Sequence, residues 1–315
     1  MRNSFVRALT AAATLDERIW LLTGDLGYSV LDVFSEQHPR RFVNVGVAEQ
    51  NMTGVAAGLA LSGKIVITYS IANFPTMRCL EQIRNDVCYH EANVKIVAIG
   101  GGLAYGTHGY THHGIEDIAV MSAFPNMTVI APGDPVETTL AVEAMLRTPG
   151  PCYLRLGKGG EPVVHDTPPA FRIGAAIPLR EGTDVTLIST GAMLPDALAA
   201  ARALADENVS AAVLSMATVK PLDAAAVLAA ARATPLLVTI EEHSVHGGLG
   251  SIVADCLATA AEPARARLVK YGLPEAHRLK SGSRQFMLGQ LPPIADVVRS
   301  ALGAGRRPAL ARPSR

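Results

Sequence analysis

The sequence predicts an α/β protein built as two doubly wound domains, and three observations carry that expectation. A length of 315 residues suits two units of ordinary domain size. An apolar content of 49% and a mean hydropathy of +0.24 ask for large sheets buried on both faces. Short apolar runs also alternate with Ala-rich amphipathic stretches along the chain, the pattern of a parallel sheet covered by helices. The alternation lapses over residues 161–172, where Pro162, Pro168 and Pro169 displace the periodic apolar positions. A first domain over 1–160, a linker over 161–172, a second domain over 173–303 and a frayed tail over 304–315 are expected.

Taken in order, Met1–Ala13 reads as an amphipathic helix without the unbroken apolar core of a signal peptide. Arg18–Asp25 is a buried strand ending in a Gly-Asp corner. Phe42–Val45 is a second, shorter strand that meets Gly46 and passes straight into an Ala/Gly-rich helical stretch ending near Gly63. Glu49 sits in the first turn of that helix, where a carboxylate at least complements the positive end of the helix dipole. Lys64–Ser70 is the next strand, followed by Ala72-Asn73-Phe74-Pro75 and a helical stretch over Arg78–Glu91. Val94–Ile99 is a further buried strand, and it opens into the loop Gly100–Gly114, where glycines alternate with His108, His112 and His113. Such a loop is costly to order and is rarely kept for packing alone. The His-x-x-x-His-His spacing has no fourth ligand nearby, so no metal site is expected on it. Asp134 caps a helix from Pro135, and residues 150–157 form the last strand of the domain.

Lysine plus arginine and aspartate plus glutamate number 28 each, which points to neither a nucleic acid nor an anionic membrane surface as partner. No apolar run approaches the roughly 18 residues that span a bilayer. Cys79, Cys88, Cys152 and Cys256 lack zinc-ligand or redox spacing and read as reduced thiols of a cytoplasmic protein.

The run Gly46, Ala48, Glu49, Gln50 followed by Ala56-Ala57-Gly58-Leu59-Ala60 resembles the glutamate-bearing motif of the transketolase superfamily of thiamine diphosphate enzymes. The resemblance implies that Glu49 meets N1′ of the cofactor's aminopyrimidine. Shielded from water, such an acid can share a proton with the ring nitrogen. It implies an aromatic shelf under that ring, with Phe74 nominated and Tyr69 second. Asp25-Leu-Gly-Tyr-Ser29 is similar to the family's Asp-Leu-x-x-Ser corner, which places Asp25 on the cofactor's substrate side and Ser29 near a sugar phosphate. Gly109-Tyr-Thr-His112-His113-Gly114 looks like the family's Asp-Gly-Pro-Thr-His-His/Gln loop, and His112 becomes the second catalytic residue, suited by its ordinary pKa to moving protons at neutral pH. The loop departs from the family at His108, which replaces an Asp, and at Tyr110, which replaces a Pro. The family's basic residue for the acceptor phosphate falls at Gly100 or Gly101, so the substrate hydroxyls and phosphate are met differently here, with His108 on the substrate side. Lys158, or Arg155 just before it, matches the place of a phosphate-binding arginine.

Beyond the linker, strands Asp184–Ser189, Ser210–Met216, Leu236–Glu241 and Arg267–Tyr271 alternate with helices Ala192–Ala205, Asp223–Ala231 and Leu249–Ala261. Lys220-Pro-Leu-Asp223 and the run through His243 and His246 to Gly250 resemble the superfamily's C-terminal domain, and both histidines read as interface or rim groups. The sequence has no Gly-Asp-Gly followed after roughly 25–30 residues by Asn, the signature that holds the cofactor's diphosphate through magnesium. The resemblance therefore implies the C-terminal subunit of a split transketolase that moves a two-carbon ketol unit between sugars. Thiamine diphosphate would be shared with a separate N-terminal subunit that carries the Mg2+ ligands, in an α2β2-type assembly. Two other readings stay open: a decarboxylating enzyme of the kind formed by deoxyxylulose-phosphate synthase or by the beta chains of 2-oxo acid dehydrogenases, and a non-catalytic scaffolding paralogue.

Overall fold

A strand buried on both faces must be apolar in both directions, and the first sheet follows from that requirement. The computed structural model describes residues 1–263 and 265–305. Strands β1 (Ile19–Thr23), β2 (Phe42–Asn44), β3 (Ile65–Ile71), β4 (Val94–Ile99), β5 (Thr128–Ile130) and β6 (Cys152–Leu156) run parallel in the order β5-β6-β4-β3-β1-β2. The pleat sends alternate residues to opposite faces. Ile65, Ile67 and Tyr69 of β3 join Phe5 and Leu9 of helix α1 (Arg2–Leu15) and Val142 of a later helix. Val66 instead faces Met52, Ala56 and Ala57 of the helix that begins at Glu49.

The helices of this domain complete the two covers. After α1 come α2 (Asp32–Gln37), α3 (Glu49–Leu61), α4 (Leu80–Gln82), α5 (Asp117–Ala123) and α6 (Pro135–Arg147). The helix expected over Arg78–Glu91 is instead a 3-10 turn at Met77–Cys79, then α4, then a π-helical segment Ile83–Tyr89. Its buried residues Ile83, Val87 and Cys88 are four and five apart, the spacing that the wider π turn brings to one side. Asp134 caps α6 as expected, its carboxylate accepting from the Glu137 N–H at 2.7 Å. The expected linker is tied to the same cap, because the N–H of Val164 donates to Asp134 at 2.8 Å.

The second sheet contains β7 (Ile177–Arg180), β8 (Val185–Ser189), β9 (Ala211–Ser215), β11 (Leu236–Ser244) and β12 (Arg267–Leu273) in the order β12-β11-β8-β9-β7, with only β7 antiparallel. Helices α7 (Leu194–Ala205), α8 (Ala224–Ala233), α9 (Leu249–Ala258), α10 (Arg284–Leu288) and α11 (Ile294–Gly305) accompany it. The core on one face draws on α7 and α11, and that on the other on α8 and α9. Residues 304 and 305 of the expected tail end α11, and the rest of that tail lies outside the described residues.

Between β9 and β11 the chain leaves its own sheet. The short strand β10 (Thr218–Lys220) adds antiparallel to β5, so the first sheet has a seventh strand taken from the second half of the chain. Lys220 also caps α5 from there, donating to the carbonyls of Ser122 at 2.9 Å and Phe124 at 2.5 Å.

A buried charge cluster completes the junction. Arg155 of β6 lies on the same pleat face as Tyr153, and both reach Asp117 at the start of α5, at 2.8 Å and 2.5 Å. Arg155 also donates to the carbonyls of Gly114 and of Glu242 in β11, at 2.7 Å and 2.8 Å. This removes Arg155 from the phosphate role left open for it, since its guanidinium is buried and engaged. Arg155→Leu would leave Asp117 buried without its cation, and a loss of about 3–5 kcal/mol is expected. Urea unfolding of the variant checks this as a lowered midpoint.

Candidate active site

The site is built on a corner. Gly46 has φ +73°, a left-handed conformation that L side chains resist, and it turns the chain from β2 into α3 within a few residues. Asn44, at the end of β2, ties this corner to the end of β1. Its Oδ1 accepts from the N–H of Gly46 and of Asp25, each at 3.0 Å, and its Nδ2 donates to Asp25 Oδ1 at 3.0 Å. The corner delivers Glu49 at the first position of α3, with its side chain only 2% exposed.

From Glu49 a continuous run of contacts crosses to the histidine loop. Arg78 Nη1 donates to Glu49 Oε2 at 2.7 Å, and the guanidinium carbon lies 4.8 Å from the centre of the Phe74 ring. Phe74 meets His112 edge-on with ring centres 5.3 Å apart, and His112 lies 4.9 Å from His108. Tyr105 contacts His108 at 5.8 Å, and Lys158 Nζ sits 4.6 Å above the Tyr105 ring. Asn73 holds the two loops in register, its Nδ2 donating to the carbonyls of Thr111 at 3.2 Å and His113 at 2.7 Å. At the base of the loop Gly100 has φ +77°, and any side chain there would overlap the Tyr105 ring.

Glu49, Phe74, His112, His108 and Lys158 are thus brought together. Lys158 is exposed and lines a cleft of about 380 Å³ between the two halves of the chain, with Gly101, Ala104, Asp196 and Arg284. Tyr69 is not brought there. Its odd register in β3, shared with Ile65 and Ile67, sends it to the α1 face, where it stacks with Phe5 at 5.9 Å. Burial pushes its hydroxyl well above the usual phenol range, and as a cofactor shelf it is corrected to a core residue. Asp25 is exposed but not free, because the Tyr28 hydroxyl at 2.5 Å and the Asn44 amide bond it and hold its carboxyl below the usual range. Ser29 sits in the following turn at φ +60°, its N–H donating to Asp32 at 3.1 Å. Arg78, Asn73, Tyr105 and Asn44 were not singled out from the sequence. The position of Arg78 four residues after Phe74, where a turn of helix begins, was the available signal.

His243 and His246 divide. His243 is buried, its Nδ1 directed at the Ser244 carbonyl at 2.9 Å and its Nε2 accepting from the Ala119 N–H at 3.4 Å, so it serves the contact between the two halves. His246 lines a surface pocket with Glu116, Glu275 and Arg278.

A buried carboxylate beside an aromatic face, opposite an imidazole loop, on the C-terminal ends of a parallel sheet, defines a pyrimidine-binding α/β domain of the thiamine diphosphate enzymes. Known proteins agree with that class. The family described as "Transketolase, pyrimidine binding domain" matches residues 1–161, and "Transketolase, C-terminal domain" matches residues 174–291. One of the two subunits of the apulose-4-phosphate transketolase of Phocaeicola vulgatus is 38% identical over 90% of this chain and 91% of its own length. The 6-deoxy-6-sulfo-D-fructose transketolase subunit SqwH of a Clostridium species is 42% identical over 82% of this chain and 80% of its own. A split-gene transketolase solved as an inactive beta4 tetramer superposes with a TM-score of 0.88 at 38% identity, covering 96% of this chain and 97% of that one. Transketolase from Campylobacter jejuni shares the fold, with a TM-score of 0.77 at 18% identity, and this chain spans 46% of it. The chain belongs to the transketolase family. It is the C-terminal subunit of a split transketolase-like transferase.

Burial first, then the neighbouring His108 and His113, hold the His112 imidazole below its ordinary pKa of 6.5. At neutral pH His112 is therefore a neutral base. A cationic His108 disfavours a second proton nearby, so removing that charge must raise the His112 value. In His108→Asn the imidazole titration of His112, followed by NMR, is expected to move up toward 6.5 and not down.

Proposed function

We propose that this subunit supplies the pyrimidine side of an active site that transfers a two-carbon ketol unit between sugars. A separate subunit supplies the diphosphate and Mg2+ side, in an α2β2-type assembly in the cytoplasm. The observation that carries the reading is the Glu49 carboxylate, 2% exposed, one guanidinium away from the face of Phe74. An acceptor for a ring nitrogen beside an aromatic plane is what an aminopyrimidine needs, so the residues present fit that half of thiamine diphosphate. The split relatives support a separate partner, because this chain spans nearly all of their length. The outer side of α3 supports a docking face next to the site, with Val47 and Leu61 exposed and open space at Gly54 and Gly58. The alanines of α3 are turned to the sheet instead.

When bound, the cofactor supplies an electron sink for a carbanion beside a carbonyl. The chain's own groups do the rest. Glu49 holds or yields a proton at its carboxylate oxygens, kept from water by its burial. Phe74 orients the flat ring. His112 has its Nδ1 beside the Thr111 hydroxyl at 3.0 Å, which leaves Nε2 to exchange protons with substrate hydroxyls. His108, which replaces the family's acid, adds a second imidazole to the same wall. Lys158 offers a point charge at the cleft, suited to the anionic end of a sugar phosphate or a related acid. Apulose-4-phosphate and 6-deoxy-6-sulfo-D-fructose, named for two of the relatives, are anionic at one end.

The test is a calorimetric titration with thiamine diphosphate and Mg2+ on this chain, on its partner subunit and on the mixture. Binding by the mixture alone, lost with Glu49→Gln, is expected. Tight binding by this chain alone would sink the shared-site reading. In the same mixture Phe74→Ala should weaken binding by about tenfold, the scale of one aromatic contact, while Tyr69→Phe should leave it unchanged.

A further inference from the structure

Arg78 is the one member of the run from Glu49 to Lys158 to which the proposed chemistry gives no task. Among the described residues its guanidinium makes two contacts. It donates to Glu49 Oε2 at 2.7 Å, and it lies over the Phe74 ring at 4.8 Å. These are the same two side chains, used in the same two ways, that the pyrimidine is proposed to use. A guanidinium is flat and delocalised, it stacks on aromatic faces, and it donates to carboxylates from its edge. One plane cannot hold both groups on the same ring face and the same carboxylate. We infer that Arg78 is a placeholder for the pyrimidine, an inference that rests on the proposed cofactor subsite. It neutralises Glu49 while the subsite is empty and is displaced when the ring enters.

Burial explains why such a group is needed and why it can leave. Glu49 is 2% exposed, and a carboxylate so far from water is unfavourable without a cation or a donor. Arg78 is 46% exposed, so its guanidinium stands at the mouth of the pocket and returns to water with little desolvation to reverse. The segment that carries it, Met77–Cys79, is a single 3-10 turn between the β3 loop and α4 rather than the interior of a long helix. The placeholder therefore has two consequences of opposite sign. It stabilises the subunit while the cofactor is absent, and it weakens the cofactor's apparent affinity by the free energy of its own contact.

The measurement compares wild type with Arg78→Met, a side chain of similar length that can neither donate nor carry charge. Thiamine diphosphate and Mg2+ are titrated into each of the two chains mixed with the diphosphate-binding partner, and the isolated chains are melted in parallel. The expected result is binding about fivefold tighter in Arg78→Met, the scale of one half-exposed ion pair. The isolated variant should melt lower than wild type, and that difference should vanish when both chains also carry Glu49→Gln. Equal or weaker binding by Arg78→Met, with wild type binding normally, would overturn the placeholder and leave the cofactor subsite standing. Binding by neither mixture would overturn both. An additive pair of melting shifts, with no coupling between positions 49 and 78, would also count against it.

Discussion

The buried ion pair between Arg155 and Asp117 is the contact on which the histidine loop depends. Its two partners come from either side of that loop in sequence, Asp117 just past its end and Arg155 on the strand beside its start. Arg155 also grips the Gly114 carbonyl, and Gly102 and Gly114 pair as an isolated antiparallel bridge that closes the loop at its neck. From the other half of the chain, Glu242 accepts the Leu103 N–H at 2.6 Å and is in turn held by Arg284 at 2.6 Å. Burying so many charges is costly, and apolar residues of equal volume could stabilise the junction as well. What apolar residues lack is direction. Fixed donors and acceptors set where the neck stands, and the tip with Tyr105, His108 and His112 projects from it.

The opposite wall reaches the same end with fewer parts. One left-handed glycine, one asparagine side chain and the first turn of a helix place Glu49. Asn73 then couples that wall to the histidine loop through two carbonyls of the latter. Both walls thus have rigid roots and half-buried tips. This division suits a site that a second molecule completes, since the roots preserve geometry while the tips remain open to contact.

Much of this was legible in the sequence, and the residues that were not share a cause. Strands β1, β3, β4 and β8 lie within a residue or two of their expected limits because apolar runs between glycines are unambiguous. Glu49, Phe74 and His112 could be nominated because each sits in a short motif whose order is itself informative. Tyr69 was misplaced even though its register with Ile65 and Ile67 already put it on the helix α1 side, so the pleat outweighed its proximity to Phe74. Arg155 was misjudged for a related reason. Two residues after Tyr153 in a buried strand, a cation faces inward and must find a buried acid, and that acid, Asp117, lies far enough along the chain that no local pattern links them. Strand β10 and the π-helical turn were invisible because each is stabilised by partners elsewhere in the chain. The contact of Arg78 with Glu49 belongs to the same class, spanning 29 positions.

The protonation of His112 ties these levels together. Its imidazole is held neutral by partial burial first and by two neighbouring imidazoles second, and neither cause is local to its motif. The burial comes from Phe74 and Tyr105, which the two walls set beside it, and the neighbours come from the fold of the loop over its neck. Any surface that closes over the tips, whether a partner chain or a bound sugar, removes more water from the same ring. Desolvation of a cation lowers its pKa further, so closure strengthens the effect already present in the open subunit and does not oppose it. A base prepared in this way is most fully neutral in the assembled state. The replacement of the family's acid by His108 works in the same direction, because a carboxylate at that place would have favoured the charged ring.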